Sequence, residues 1–139
     1  MTDNINYING SWKIGPDSMV PVYDGGFLLG DGLFETIRFD NRKLFYPDKH
    51  LKRLFDGLDI IRIKLKKTSA DLTLLLEEII QRNSIQSGLL RLMVTRGKVE
   101  GPPWQYEGKA GIYITIRPLT PEPEYPVKVV FYPEVKYPI

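Results

Sequence analysis

The sequence predicts an α+β domain in which two consecutive helices pack on a mainly antiparallel sheet. Alternating apolar and polar residues occupy both ends of the chain, which is typical of half-buried strands. Two segments between them carry apolar residues at helical spacing, and turn residues separate all of these segments. Strands, then helices, then strands is an order typical of α+β domains. A chain of 139 residues is long enough to bury one core.

Composition and charge exclude several classes of protein. The hydrophobic fraction of 42% and charged fraction of 26% are those of an ordinary globular domain. A net charge of +2 gives no reason to expect nucleic acid or an anionic membrane as a partner. With no Cys and one His, we expect no disulfide framework and no metal site. We expect a cytoplasmic protein, because no apolar run approaches a membrane span and the N-terminus lacks a signal peptide.

The N-terminal segments predict a β-hairpin. Residues 5–8 and 11–14 flank Asn9-Gly10, a pair that supplies the positive φ angles of a type I′ turn. Gly15-Pro16-Asp17 should end the second strand.

The stretch 24–32 contains four glycines and is predicted to form a crowded turn that leads into a strand. It is not a phosphate loop, because Asp31 and Gly32 follow Gly30 where that loop requires Lys and then Ser or Thr. A dinucleotide fingerprint fails as well, since Glu35 replaces the third glycine.

The strand at 34–39 is predicted to have two different faces. Alternation puts Phe34, Thr36 and Arg38 on one face and Glu35, Ile37 and Phe39 on the other. If Ile37 and Phe39 face the core, the other three side chains border a cleft or a second domain.

Two helices should follow a short strand at 43–46. The first is predicted at 48–61 with Asp48 as N-cap, and Arg53 lies beside its apolar stripe. That stripe consists of Leu51, Leu54, Phe55, Leu58 and Ile61. The second helix is predicted to be capped by the segment 68–71, Thr-Ser-Ala-Asp, and to end near Asn83.

Three further strands are predicted, at 89–96, 110–117 and 127–132. Arg91 lies in the middle of the first, so its guanidinium must reach solvent, a cleft or an anion. The loop at 97–108 is long enough to be functional.

Two sequence blocks in register resemble the fold-type IV pyridoxal phosphate enzymes. They are Gly-Asp-Gly-Leu-Phe-Glu at 30–35 and His-Leu-Lys-Arg-Leu at 50–54, separated by a turn at 40–42. That family comprises branched-chain and D-amino acid aminotransferases and aminodeoxychorismate lyase. The resemblance covers essentially the whole chain and implies that residues 1–139 form the N-terminal small domain of such an enzyme.

The resemblance assigns roles to five residues. It implies that Arg53 binds the phosphate of pyridoxal 5′-phosphate, and a guanidinium on a rigid helix can do so through two parallel hydrogen bonds. It implies that Phe34, Arg38, Arg91 and Arg96 bind the substrate.

Three of these residues also have a structural interpretation. Without the resemblance, Arg53 would be interpreted as a solvated helix charge, Phe34 as a core residue and Arg38 as a solvent-facing strand charge. His50 is expected to form a structural cap or hydrogen bond on its helix.

No catalytic residue is expected within the chain. The resemblance places the Schiff-base lysine after Ile139, in a large domain that this sequence lacks. Lys136 is not followed by the required Asn, so the role does not transfer to it. The chain alone is therefore predicted to be inactive.

We expect the parent protein to be a branched-chain or D-amino acid aminotransferase acting on a small amino or keto acid. Aminodeoxychorismate lyase is the alternative within the family. A free-standing, non-catalytic domain that binds an anion or a partner is the alternative from another class. The family pattern implies a homodimer, with the loop at 97–108 contributing to the neighbour's active site.

Overall fold

The computed structural model describes residues 3–102, 109–122 and 124–131. Within these ranges the chain forms six strands and three α-helices. In chain order they are β1 (Ile5–Ile8), β2 (Ser11–Ile14), α1 (Gly25–Leu29), β3 (Gly32–Asp40), β4 (Lys43–Leu44), α2 (Pro47–Ile60), α3 (Ser69–Arg82), β5 (Gly88–Thr95) and β6 (Gly111–Pro118). No helix in the described ranges is both long enough and apolar enough to span a membrane.

All the strands pair antiparallel in one sheet of order β2-β1-β6-β5-β3-β4. The predicted α+β class with an antiparallel sheet is confirmed. β5 lies between β3 and β6, and Arg91 is the register partner of both Thr36 and Thr115. Because side chains alternate along each strand, these three residues share one face of the sheet.

The helices α2 and α3 pack on the opposite face of the sheet, where the core lies. The core consists of buried apolar side chains from both layers: Ile37, Phe39, Leu90, Leu92, Val94, Ile112, Ile114 and Ile116 from the sheet, and Leu51, Leu54, Leu58, Leu72, Leu76, Ile79 and Ile80 from the helices. The face of β3, β5 and β6 away from these helices, called the open face below, carries exposed arginines.

The predicted hairpin is confirmed. Asn9 and Gly10 have φ angles of 47° and 94°, as a type I′ turn requires. The segment Gly15–Asp17 that ends β2 is a single turn of 3₁₀ helix.

The glycine-rich stretch is as crowded as predicted, but it contains the one-turn helix α1 rather than a plain turn. Asp24 caps this helix by accepting a hydrogen bond from the Gly26 amide at 2.8 Å. A Cβ on Gly26 would lie 2.3 Å from Thr95 Cγ2, and one on Gly32 would lie 2.6 Å from the Val94 carbonyl oxygen. These glycines therefore let α1 and β3 approach β5 closely.

The prediction that Asp48 caps α2 is wrong. The helix begins at Pro47, the N-cap is Tyr46 in the left-handed region, and no side chain caps it. Pro47 lacks an amide proton, so the first helical position requires no acceptor. Asp48 instead occupies the first turn, where its charge favours the helix dipole.

Two predicted strands also require correction. The strand at 43–46 is limited to Lys43–Leu44, because Tyr46 has a φ of 47° and leaves the extended conformation. Residues 127–131 form no strand, and their valines are exposed. Tyr132 lies outside the described residues, as do residues 103–108 of the predicted functional loop.

Replacing Thr68 with Ala should lower the free energy of unfolding by about 1 kcal/mol. Thr68 and Asp71 form a capping box in which each side chain bonds the other's backbone amide, at 3.2 and 2.7 Å. Urea denaturation measures the change. Thr73→Ala on the same helix is the control and should be neutral or stabilising. Equal losses in the two variants would contradict the role of the cap.

Candidate active site

A buried carboxylate joins β3 to α2 at the centre of the first candidate site. Arg53 donates to Glu35 through Nε to Oε1 at 2.7 Å and through Nη2 to Oε2 at 2.5 Å. His50 Nδ1 lies 2.7 Å from the same Oε2. An ionised carboxylate only accepts hydrogen bonds, so this ring nitrogen carries the proton. His50 thus forms the expected structural hydrogen bond. Its partner, Glu35, lies on β3, and His50 does not cap the helix.

Charge pairing determines the protonation of these groups. The hydrogen bond from Arg53 lowers the pKa of Glu35 most strongly, burial raises it, and His50 lowers it further. Glu35 in turn raises the pKa of the Arg53 guanidinium. Both groups are therefore charged at neutral pH.

Glu35 holds the Arg53 side chain in position, although that side chain is exposed to solvent. Its side chain is 72% exposed, whereas that of Glu35 is 5% exposed. The two parallel hydrogen bonds that the sequence predicted toward a phosphate are made with Glu35. Within the described part of the chain, Nη1 has no hydrogen-bond partner and is the nitrogen that remains for an external anion.

The open face brings together three of the predicted substrate residues. Arg91 Cζ lies 4.0 Å from the centroid of the Phe34 ring, within the range of a cation–π interaction. Arg38 Cζ lies 5.6 Å from the centroid of the Phe45 ring, which follows β4. Phe34 is 58% exposed, so it is not a core residue. An aromatic surface and a guanidinium are thus presented side by side.

A pocket of about 270 Å³ opens on this face beside Arg91. Its lining comprises Thr36, Leu89, Arg91, Thr115 and Arg117. Arg117 was not predicted to be a site residue. The sequence pattern does indicate the position of Arg117, because residues 113, 115 and 117 are alternate residues of a predicted strand and so share a face.

The structure places Arg96 away from the open face. Its Nε and Nη2 donate to the Asp31 carboxylate at 2.6 and 3.0 Å. Its Nη1 and Nη2 also donate to the carbonyls of Arg62 and Ile61, at 3.1 and 2.8 Å, just after α2 ends. This geometry favours a structural role for Arg96 over the predicted role in substrate binding, because its donor groups already hold the end of a helix.

A second buried carboxylate, Asp24, was also missed. Its Oδ2 accepts hydrogen bonds from Thr95 Oγ1 at 2.9 Å and from the Tyr113 hydroxyl at 2.7 Å. Burial, followed by the Asp24 hydrogen bond, raises the pKa of Tyr113 to about 12. These contacts tie the glycine-rich stretch to β5 and β6.

Comparison with known proteins identifies the family. A family model described as amino-transferase class IV matches residues 32–138. The chain belongs to the class IV aminotransferase family. This confirms the resemblance drawn from the blocks at 30–35 and 50–54.

Curated class IV relatives extend well beyond this chain. A putative branched-chain-amino-acid aminotransferase of Methanocaldococcus jannaschii is 34% identical over 91 residues, which cover 66% of this chain and 32% of the relative. A D-alanine aminotransferase of Bacillus licheniformis is 36% identical over 104 residues, which cover 75% of this chain and 36% of the relative. The chain therefore spans about a third of these enzymes and matches their N-terminal part.

Solved class IV structures share the fold. The branched-chain amino acid aminotransferase from Escherichia coli is 25% identical with a TM-score of 0.74, over 84% of this chain and 41% of that chain. The 4-amino-4-deoxychorismate lyase from Pseudomonas aeruginosa is 28% identical with a TM-score of 0.67, over 87% of this chain and 41% of that chain. The similarity thus extends to both an aminotransferase and a lyase.

Replacing Glu35 with Gln should lower the free energy of unfolding by about 2 kcal/mol at neutral pH, because two charge-assisted bonds are weakened. The folded-state pKa of Glu35 lies below its unfolded value, so its stabilisation is present above about pH 4 and is lost as the pH falls further. Urea denaturation at neutral pH and at about pH 3 measures the difference between wild type and variant.

The difference in the free energy of unfolding between wild type and Glu35→Gln should be smaller at about pH 3 than at neutral pH. Glu77→Gln, at an exposed position of α3, is the control and should change stability little at either pH. A Glu35→Gln deficit of equal size at both pH values would contradict the ion pair as its source.

Replacing Tyr113 with Phe should cost about 1 kcal/mol below pH 10, since the hydroxyl donates to a buried carboxylate. The folded-state pKa is raised, so the contribution is fully present below the unfolded pKa of about 10 and is lost as the pH rises through about 12. Ultraviolet titration of tyrosinate should lose its latest-ionising group in this variant. Tyr125→Phe, at an exposed residue, should retain it.

Proposed function

We propose that this chain is the N-terminal domain of a pyridoxal phosphate-dependent class IV aminotransferase of the branched-chain or D-amino acid type. In this proposal it contributes an anchor for the cofactor phosphate and one wall of the substrate pocket. The observation that carries the proposal is the Arg53 guanidinium, which Glu35 holds in place and which is nevertheless 72% exposed.

The chemistry of Arg53 fits the phosphate of pyridoxal phosphate. The cofactor acts as an electron sink for carbanions when bound. Arg53 is charged at neutral pH, and a guanidinium forms strong hydrogen bonds with phosphate oxygens. Because Glu35 already orders the side chain, less conformational freedom is lost when an anion binds.

The open face suits an amino or keto acid substrate. Phe34 supplies an apolar surface, while Arg91 and Arg38 supply charges for carboxylates. Arg96 is not included, because its donors are committed to Asp31 and to the carbonyls that follow α2.

Catalysis in this proposal requires a lysine from outside residues 1–139. The 139-residue chain by itself is then inactive. The relatives of which it spans about a third support the view that further sequence completes the enzyme. The family resemblance extends the proposal to a cytoplasmic homodimer.

Aminodeoxychorismate lyase is the second candidate function. It is favoured by the likeness to the Pseudomonas aeruginosa lyase, which is 28% identical over 87% of this chain. Assaying the full-length protein for pyruvate release from 4-amino-4-deoxychorismate, and for amino transfer between an amino acid and a keto acid, separates the two activities.

The domain proposal is tested by comparing this chain with the full-length protein after incubation with pyridoxal phosphate and borohydride. Only the longer protein should retain the cofactor covalently. Covalent labelling of neither protein would contradict the proposed function.

Replacing Arg53 with Ala in the full-length protein should weaken pyridoxal phosphate binding at least about tenfold, since a charge-assisted bond is typically worth about 1.5–3 kcal/mol. The dissociation constant is measured by absorbance titration. Binding of pyridoxal, which lacks the phosphate, should change little.

Lys52→Ala is the matched control, because Lys52 is an exposed cation on the same helix that pairs with Asp56. It should leave both dissociation constants unchanged. If Arg53→Ala weakened pyridoxal and pyridoxal phosphate equally, Arg53 would support the fold and would not bind the phosphate.

A further inference from the structure

One end of the open face is covered by the segment that precedes α1. Phe34, Met93 and Tyr113 are successive register partners on β3, β5 and β6, so their side chains form one row on that face. Phe34 is 58% exposed, whereas Tyr113 is 2% exposed. Asp24 contributes to the cover over Tyr113, because its Oδ2 accepts a hydrogen bond from the Tyr113 hydroxyl at 2.7 Å. The row is therefore closed at β6 and open at β3.

Asp24 is a buried carboxylate that is held by neutral donors. It accepts hydrogen bonds from the Gly26 amide, the Thr95 hydroxyl and the Tyr113 hydroxyl, at 2.8, 2.9 and 2.7 Å. It forms no ion pair with any residue in the described part of the chain. A buried carboxylate without a cation is costly, so these three donors determine where Asp24 can lie.

The segment that contains Asp24 also pairs with the chain that leaves β5. Residues 23–25 form a short antiparallel ladder with residues 97–99, through two backbone hydrogen bonds of 2.7 and 2.8 Å and a bridge at the centre. Gly97 N donates to Thr95 Oγ1 at 3.2 Å, and that hydroxyl donates to Asp24. Asp24 therefore fixes both halves of the ladder to the sheet.

The connection between β5 and β6 begins at a glycine that both conformation and space require. Gly97 has a φ of 92°, and a Cβ on it would lie 1.9 Å from the carbonyl oxygen of Lys109. Lys109 precedes β6 by two residues. The two ends of this connection thus lie against each other at its base, and holding Gly97 in place also holds the approach to β6.

The ladder lies next to the pocket on the open face. Thr115 lines that pocket and is the next residue after Tyr113 on the same face of β6. Arg91 lines it in the same way, two residues from Met93 on β5. Residues i and i+2 of a strand are about 7 Å apart. The ladder held by Asp24 therefore bounds the pocket at the Tyr113 end.

We propose that Asp24 is a positioning residue for the substrate site. It acts through Thr95 and Tyr113, by holding the ladder of residues 23–25 and 97–99 as the end wall of the open face. The inference rests on the proposed function, because this wall bounds the same site. The phosphate anchor should not depend on Asp24, since Glu35 holds Arg53 on the other face of the sheet.

The first test is Asp24→Asn in the cofactor-loaded, full-length protein, with 2-oxopentanoate as the probe keto acid. Isothermal titration calorimetry should show that the probe binds at least about tenfold more weakly, because small displacements in a site have large effects. The pyridoxal phosphate dissociation constant should stay within about twofold of wild type. Asp17→Asn removes the same charge at an exposed position and should change neither constant.

Two substitutions of Thr95 test the same contact if Asp24→Asn fails to fold. Thr95→Val keeps the shape of the side chain but removes the hydroxyl that donates to Asp24, so it should also weaken binding of the probe. Thr95→Ser retains the hydroxyl and should restore most of the affinity.

Amide hydrogen exchange supplies a measurement that a merely stabilising role would not change in this way. Exchange should become faster at residues 97–99 in Asp24→Asn and in Thr95→Val, because the ladder is released from the sheet. Exchange in β3 should remain as in the wild type, since its amides do not depend on Asp24.

The inference is overturned if Asp24→Asn and Thr95→Val leave binding of 2-oxopentanoate unchanged, or if exchange at residues 97–99 does not respond. Equal weakening of 2-oxopentanoate and pyridoxal phosphate binding would also overturn it, because that result indicates a general loss of structure. Cofactor absorbance of the wild type reports separately on the proposed function. If that absorbance is missing while 2-oxopentanoate binding still depends on Asp24, the proposed function is contradicted and the end wall is supported.

Discussion

The ion pair between Glu35 and Arg53 connects the sheet to the helix layer and fixes an exposed guanidinium. Glu35 projects from β3 toward α2, where an unpaired carboxylate would be costly to bury. Arg53 and His50, one turn apart, supply the compensating donors. The same contact therefore stabilises the packing of α2 on the sheet and orders a guanidinium for an anion. Structure and proposed function depend on one buried charge.

The two faces of the sheet have different roles in the domain. One face buries aliphatic side chains against α2 and α3, and the other presents arginines, threonines and Phe34. Alternation along the strands produces both faces from the same three strands, β3, β5 and β6. A rigid sheet positions side chains more accurately than a loop does, which suits the recognition of small acids.

The glycine-rich stretch is held by polar contacts that leave little freedom. Asp24 accepts three hydrogen bonds, from Gly26, Thr95 and Tyr113, and Arg96 joins Asp31 to the end of α2. Breaking the contacts of Asp24 would leave a buried carboxylate short of hydrogen bonds. Arg96, which resembled a substrate ligand by position, thus contacts the segment that follows α2.

The sequence by itself determined the element order, the two faces of β3 and the family, because alternation, helical spacing and two motif blocks are local signals. It also predicted the exposed arginines at 38, 53 and 91. Only the tertiary structure decided which partners these side chains meet. Glu35 with Arg53, Arg96 with Asp31, and Arg117 beside Arg91 are contacts between distant segments, and they depend on strand register and helix packing that no local pattern specifies.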